Sequence, residues 1–219
     1  MKNKYLVRSR RYERQEPLRD SRKIYIYCEV TNREFDYFRF FCGLSYNVNI
    51  IPIPSKDGKT DPEKLMEAAR EEFGINSDVS PKFTLDVSQQ DNVWFVIDTD
   101  SWGSKITDLR NFCKSQNAGL DNEAWYVSQS NPSFEIWLYY HKFSEKPVKN
   151  DVDKYSSIKE FVDAQIPGGF DSRKHPAMIE AAIQNAKATY EEENQVLKLY
   201  STEVFKLGQV ILPFVKDIL

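Results

Sequence analysis

The stretch Val93-Trp94-Phe95-Val96-Ile97 constrains this chain more than any other. A run of β-branched and aromatic residues with no polar side chain has no face to offer water, so it belongs in the middle of a sheet covered on both sides. Such strands are characteristic of parallel sheets flanked by helices. The run passes straight into Asp98-Thr99-Asp100. If the chain stays extended there, side-chain alternation points both carboxylates the same way.

Around this strand the sequence alternates strand and helix signals. Ile24-Tyr25-Ile26-Tyr27-Cys28 predicts a buried strand that ends at Glu29, residues 48–53 a strand closed by Pro54, and residues 124–127 a fourth. Phe35, Phe38 and Phe41 have helical spacing within 34–44, and Asp61 with Pro62 forms an N-cap and first-turn pair for a helix that stops near Gly74. Polar residues 76–91 read as a long connection. Ile106, Leu109, Phe112 and Cys113 define a helix over 104–116, and a further helix is expected from Pro132, with Asn131 or Ser130 as its cap. Residues 157–164, 176–199 and 202–219 read as helical, with Glu191-Glu192-Glu193 as a solvated helix face. This last part is expected to pack on the sheet and shape its cleft. The fold class is therefore α/β, a mainly parallel central sheet flanked by helices with a helical C-terminal extension. Three segments follow: a basic arm over 1–22, a core over 23–143 and an extension over 144–219.

Charge is uneven along the chain. The 30 Lys and Arg against 33 Asp and Glu give a net charge of −3, which argues against passive coating of nucleic acid, yet Arg8, Arg10, Arg11, Arg14, Arg19, Arg22 and Lys23 share one segment. That arm either meets phosphates or is a solvated tail. No apolar run reaches the ~18–20 residues of a membrane span, and the highly charged start is unlike a signal peptide, so a cytoplasmic, soluble protein is expected. Cys28, Cys42 and Cys113 are odd in number and lack metal-ligand spacing, and read as reduced thiols.

Chemistry gathers where the carboxyl ends of parallel strands open. Glu29 follows one strand and Asp98 and Asp100 follow another, so the three can meet at one edge. Carboxylates in that arrangement suit Mg²⁺, a hard ion that takes one or two carboxylates and completes its shell with waters and substrate phosphate oxygens. Phosphoryl transfer or phosphodiester cleavage is the implied reaction. Asp-x-Asp by itself better fits a cap or an Asx turn; Glu29 at a second strand end is what favours the site.

Three blocks carry a family resemblance: IYIYCEVTNREFDYF over 24–38, similar to a strand followed by Glu-Gly-x-x-Thr-Glu-x-x-Tyr-Phe; VWFVIDTD over 93–100; and SNPSFEIWLYYHKF over 130–143. Over roughly residues 20–215 the chain resembles RloB-like proteins, bacterial defence-associated members of the Toprim superfamily. Glu29, which its strand end sets near the metal as ligand or general acid/base, is the catalytic carboxylate that the resemblance implies within a Toprim-like fold, with Asp98 and Asp100 as the Mg²⁺ motif and Glu34, Asn131 and Glu135 near the site. The resemblance further implies a metal-dependent endonuclease in antiphage defence, using Mg²⁺ or Mn²⁺, acting on nucleic acid with transfer RNA slightly favoured over DNA, and regulated by an AAA- or ABC-type ATPase partner. Assembly into a homo-oligomer is left open. Two departures stand out: Val30 occupies the place of Gly and Arg33 that of Thr.

Several residues carry two readings. Glu34 and Glu135 also suit first-turn acids favoured by the helix dipole. Lys56 and Lys59, flanking Gly58, form either a phosphate clamp or a solvated loop, and Trp102 either stacks on a base or packs beneath the acidic loop. His141 reads as a packed, hydrogen-bonded residue, and His175 has no metal-spaced partner. The competing function is a non-catalytic nucleic-acid or nucleotide-binding subunit; a small-molecule phosphotransferase is disfavoured because no Gly-rich phosphate loop is present.

Overall fold

In the computed structural model, residues 21–29, 33–55, 61–76, 80–99, 102–194 and 196–219 are described. The candidates Asp100, Lys56 and Lys59, the residue Val30 and arm positions 1–20 lie outside them.

Strands β1 (Arg22–Cys28), β2 (Val48–Pro54), β3 (Asn92–Asp98) and β4 (Trp125–Ser130) form one sheet in the order β2-β1-β3-β4, every pair parallel. The α/β class and the mainly parallel sheet expected from the sequence are found. Alternation divides the sheet's side chains between two cores. Ile24, Ile26, Cys28, Trp94 and Val96 face one core, while Tyr25, Tyr27, Val93, Phe95 and Ile97 face the other. β3 is buried along its whole length, as its all-apolar stretch over 93–97 requires.

Helices α1 (Arg33–Arg39), α2 (Pro62–Glu72) and α3 (Gly103–Asn117) alternate with the strands. The Asp61 side chain accepts from the Glu63 N–H at 2.9 Å, the N-cap read from the sequence. α1 is shorter than the 34–44 expected: Phe41, Cys42 and Leu44 bond three residues back, and Gly43 at φ 73° turns the chain away. α2 and α3 cover the Tyr25/Phe95 face through Leu65, Ala69, Leu109 and Phe112.

The second face is covered by α1 and by α4 (Glu135–Tyr139), α6 (Ile158–Gln165), α7 (Ile179–Ala188) and α8 (Val204–Val215), with α5 (Lys149–Val152) between α4 and α6. Residues beyond 143 thus share a core with β1. The long helix expected over 176–199 is broken. A 3₁₀ turn spans His175–Met178, α7 ends at Ala188, and β5 (Glu192–Glu193) pairs antiparallel with β6 (Val196–Leu197). Asn194, at φ 52°, supplies the left-handed position of this hairpin, a conformation Asn tolerates. The Glu run therefore lies on an exposed hairpin instead of a helix face.

The cap assigned to Asn131 or Ser130 is also corrected. Ser130 closes β4 and bonds Thr202, and the Asn131 amide donates to the Leu197 carbonyl at 2.7 Å. Both side chains are used by the C-terminal segment, and no side chain of its own N-cap residue caps α4. Among the described residues no helix is long and apolar enough to cross a membrane.

Candidate active site

The order β2-β1-β3-β4 sends consecutive crossovers to opposite sides of β1, which places a topological switch point between β1 and β3. Glu29 and Asp98 end these two central strands. The Glu29 N–H continues the ladder to the Val96 carbonyl at 3.2 Å. Its Oε2 accepts from the Asp98 N–H at 2.6 Å, and its Oε1 from the Trp102 indole N–H at 3.0 Å. Trp102 thus holds a carboxylate, and its ring packs with the α2/α3 core.

Asp98 leaves β3 towards the opposite face. Its Oδ1 accepts from the Phe134 N–H at 2.8 Å, so the acid at the end of β3 binds the chain as it enters α4. The Thr99 N–H donates to Ser130 and Pro132 carbonyls, and Ser133 Oγ donates to Glu135 Oε2 at 2.6 Å. The 130–135 turn therefore wraps around the start of the acidic motif. Glu34, in the first turn of α1, is buried beside it at 2% exposure.

Burial pushes the Asp98 carboxyl well above the ordinary carboxylate range, and the charges of Glu34, Glu29 and Glu135 push it further, against the opposing Phe134 hydrogen bond. Four acids from four chain segments thus crowd one spot where burial of charge is costly. Arg33 approaches from the same turn as Glu34. Its Nη2 lies 2.7 Å from Asp163 Oδ2 on α6 and its Nε 3.7 Å from Glu135 Oε1. The residue that departs from the family's Thr is thereby an ion-pair link between α6 and the acids, a role that sequence spacing across 130 positions could not reveal.

Among the described residues no three His, Cys, Asp or Glu side chains are arranged as a metal-binding group. Of the expected carboxylate set, Glu29 and Asp98 are brought together and Asp100 lies outside the described residues. The donor chemistry fits a hard cation: the ligating atoms are all oxygens, and a positive charge would offset the like-charge crowding on Asp98. Asn131 is committed to the Leu197 carbonyl, as described above. His141 is buried, hydrogen-bonded to Tyr37 Oη and the Trp137 carbonyl, with burial lowering its pKa to about 3; it is the packed residue expected. His175 Nδ1 accepts from the Asp171 N–H. All three cysteines are free, with Cys28 and Cys113 buried.

Sequence reasoning did not identify a second polar group beside the site. Arg110 on α3 donates to Gln129 Oε1 and Glu203 Oε2, while Gln129 Nε2 donates to Thr99 Oγ1. Burial alone would raise the Glu203 pKa, but the Arg110 and Lys206 cations lower it overall. The sequence offered little signal, since Gln129 lies beyond the strand expected over 124–127 and stands between two serines.

A parallel sheet whose switch point gathers buried carboxylates at the ends of both central strands defines a Toprim-like α/β protein. The model of the family described as RloB-like protein matches residues 24–211, and the chain belongs to that family. Membership suggests a defence-related protein. Searches of curated proteins and of solved structures find no match.

Proposed function

We propose that the protein is a Toprim-type, metal-dependent endonuclease that cleaves phosphodiester bonds of nucleic acid in bacterial antiphage defence, under the control of an ATPase partner. The observation that carries this reading is the meeting of Glu29 with Asp98 at the switch point, with Glu34 and Glu135 close enough to perturb Asp98. Stability does not explain such a cluster, because each buried like charge adds cost.

Glu29, Asp98 and Asp100 would hold Mg²⁺ or Mn²⁺. When bound, the ion offsets charge on the scissile phosphate and activates the attacking oxygen. The chain's own residues have separable roles. Trp102 and the Asp98 N–H fix both Glu29 oxygens, and the Phe134 N–H orients Asp98. Glu135, held by Ser133 and Arg33, would accept or return a proton at the reacting phosphate. A slight preference for RNA, transfer RNA in particular, comes from the family resemblance alone.

The test is incubation of the purified protein with transfer RNA, single-stranded DNA and plasmid, in Mg²⁺, Mn²⁺ or EDTA, beside Asp98→Ala. Cleavage that needs both the metal and Asp98 is expected, with a loss of at least about 100-fold in the variant, the scale of removing an essential electrostatic group. Equal cleavage by wild type and variant would overturn the assignment. The second reading, a non-catalytic binding subunit, is favoured by the ion-paired Arg33, and predicts salt-sensitive binding with no cleavage.

A further inference from the structure

Beside the carboxylates lies a cavity of about 300 Å³ between the N-terminal half of α3, the end of β4 and the β5-β6 hairpin. Two of its lining residues are chain neighbours of the acid site: Thr99 directly follows Asp98, and Gly103 directly follows the Trp102 that holds Glu29. Resting on the nuclease reading above, we propose that this cavity is a subsite for one unpaired nucleoside of the polynucleotide strand whose phosphate meets the carboxylates.

The wall of the cavity is built by specific bonds. The hairpin and the segment that follows it are tied to the end of β4 and the turn beyond it by the Asn131 amide on the Leu197 carbonyl, the Tyr200 N–H on the Asn131 carbonyl and the Glu203 N–H on the Gln129 carbonyl, each at 2.7 Å. The motif residue Asn131 thus acts on the substrate through the hairpin that it positions.

The lining selects the ligand class. Ile106 and Leu197 form a buried apolar floor, and Val196, 65% exposed, forms a lip. Thr107, Asn111 and Asn194 contribute uncharged polar groups; the Thr107 hydroxyl donates to the Gly103 carbonyl at 3.4 Å, a long bond within α3, and the side-chain amides of Asn111 and Asn194 bond no side chain or backbone group among the described residues. The cation at the cavity, Arg110, is held by Glu203 and Gln129. A phosphate finds no uncompensated positive charge here, whereas a flat, neutral ring with donors and acceptors on its edge finds apolar contact and side-chain amides, the groups that read base edges. The volume lies at the small end of the range for ligand sites, suited to one nucleoside and too small for a base pair. A duplex would have to extrude the nucleotide at a cost, so the site favours single-stranded or looped substrate.

The experiment measures binding by fluorescence anisotropy in EDTA, so that it does not depend on cleavage. Labelled single-stranded oligoribonucleotide, single-stranded oligodeoxynucleotide and a duplex of the same sequence are titrated with the full chain and with Asn111→Leu and Thr107→Leu. Both positions are exposed on α3 and Leu is a good helix former, and a thermal melt checks that the variants fold. Wild type is expected to prefer at least one single strand to the duplex, and each variant to lose about tenfold in affinity for that strand with duplex binding unchanged. Equal affinity for strand and duplex, no saturable binding of either single strand, or unchanged single-strand affinity in both folded variants would each overturn the subsite. The two readings fail separately: wild-type cleavage by Asp98→Ala would refute the nuclease centre, while the affinities of Asn111→Leu and Thr107→Leu in EDTA decide the subsite.

Discussion

Asp98 shows how a single residue joins function to instability. Its carboxyl titrates above the ordinary range because burial and neighbouring acids disfavour its charge. The folded state therefore binds a proton that the unfolded state has already released, and stability falls as pH rises from the ordinary Asp pKa of about 3.9 through the raised folded value. Asp98→Asn keeps an oxygen to accept the Phe134 N–H and removes the charge. It is expected to melt higher than wild type at pH 7, by about 2–4 °C for each ~1 kcal/mol relieved, and the difference should vanish near pH 4. Thermal melts across that range check this; a variant that melts lower than wild type at pH 7 would show that the carboxylate is not under strain from its neighbours. The positions of Glu29 and Asp98 were legible because each acid directly follows an apolar strand, whereas Glu34 was set near them by the family resemblance, its first-turn position fitting a helix-dipole acid equally. Trp102 was legible as a neighbour of the motif, but its use as a hydrogen-bond donor to Glu29 depended on where α3 begins.

At the scale of elements, the close crossing of α7 and α8 makes a sharp demand on sequence. A Cβ built on Gly208 would lie 2.9 Å from Ile183 Cγ1 and 3.4 Å from the Trp137 ring. Glycine in a helix interior costs about 1 kcal/mol relative to alanine, so its presence there reflects the approach of the neighbouring helix. Gly208→Ala is expected to destabilise the protein by about 1–2 kcal/mol, the overpacking cost less the gain in helix propensity. Ile183→Ala should cost about 2–5 kcal/mol alone. In combination the two should cost less than their sum, because the smaller side chain makes room for the methyl group. Denaturant melts of the four proteins measure this; strict additivity would mean that the helices separate freely. The elements read incorrectly from sequence, α1 beyond Arg39, the α4 cap and the helix over 176–199, share a cause. Local propensity was outweighed by bonds to distant residues or by a left-handed turn, as with Asn131 to Leu197 and the hairpin through Asn194.

For the whole molecule, the C-terminal residues complete the core. Val204, Leu207, Ile211 and Val215 of α8 are fully buried in the cluster that contains Trp137, Ile183 and β1's Ile24 and Ile26. Glu203 also closes the polar group around Arg110 and Gln129. Deleting residues 204–219 is therefore expected to abolish cooperative unfolding. Each buried aliphatic side chain contributes about 1.5–3 kcal/mol, and several such losses exceed the usual net stability of a domain, about 5–15 kcal/mol. Calorimetry that finds one sharp transition in the shortened chain would show that the sheet and remaining helices suffice.

The sequence by itself determined the α/β class, the four parallel strands and the placement of Glu29 and Asp98 at strand ends, because these follow from local periodicity and from the all-apolar stretch over 93–97. Tertiary structure decided which strands became neighbours, and so that Glu29 and Asp98 meet. It also decided that Arg33 would join Asp163 to Glu135, and that Asn131 would hold a hairpin and build a cavity beside the acids. These pairings join residues far apart in the chain, and no local periodicity encodes the partner of a polar side chain that only the packing of helices and sheet brings within hydrogen-bond distance.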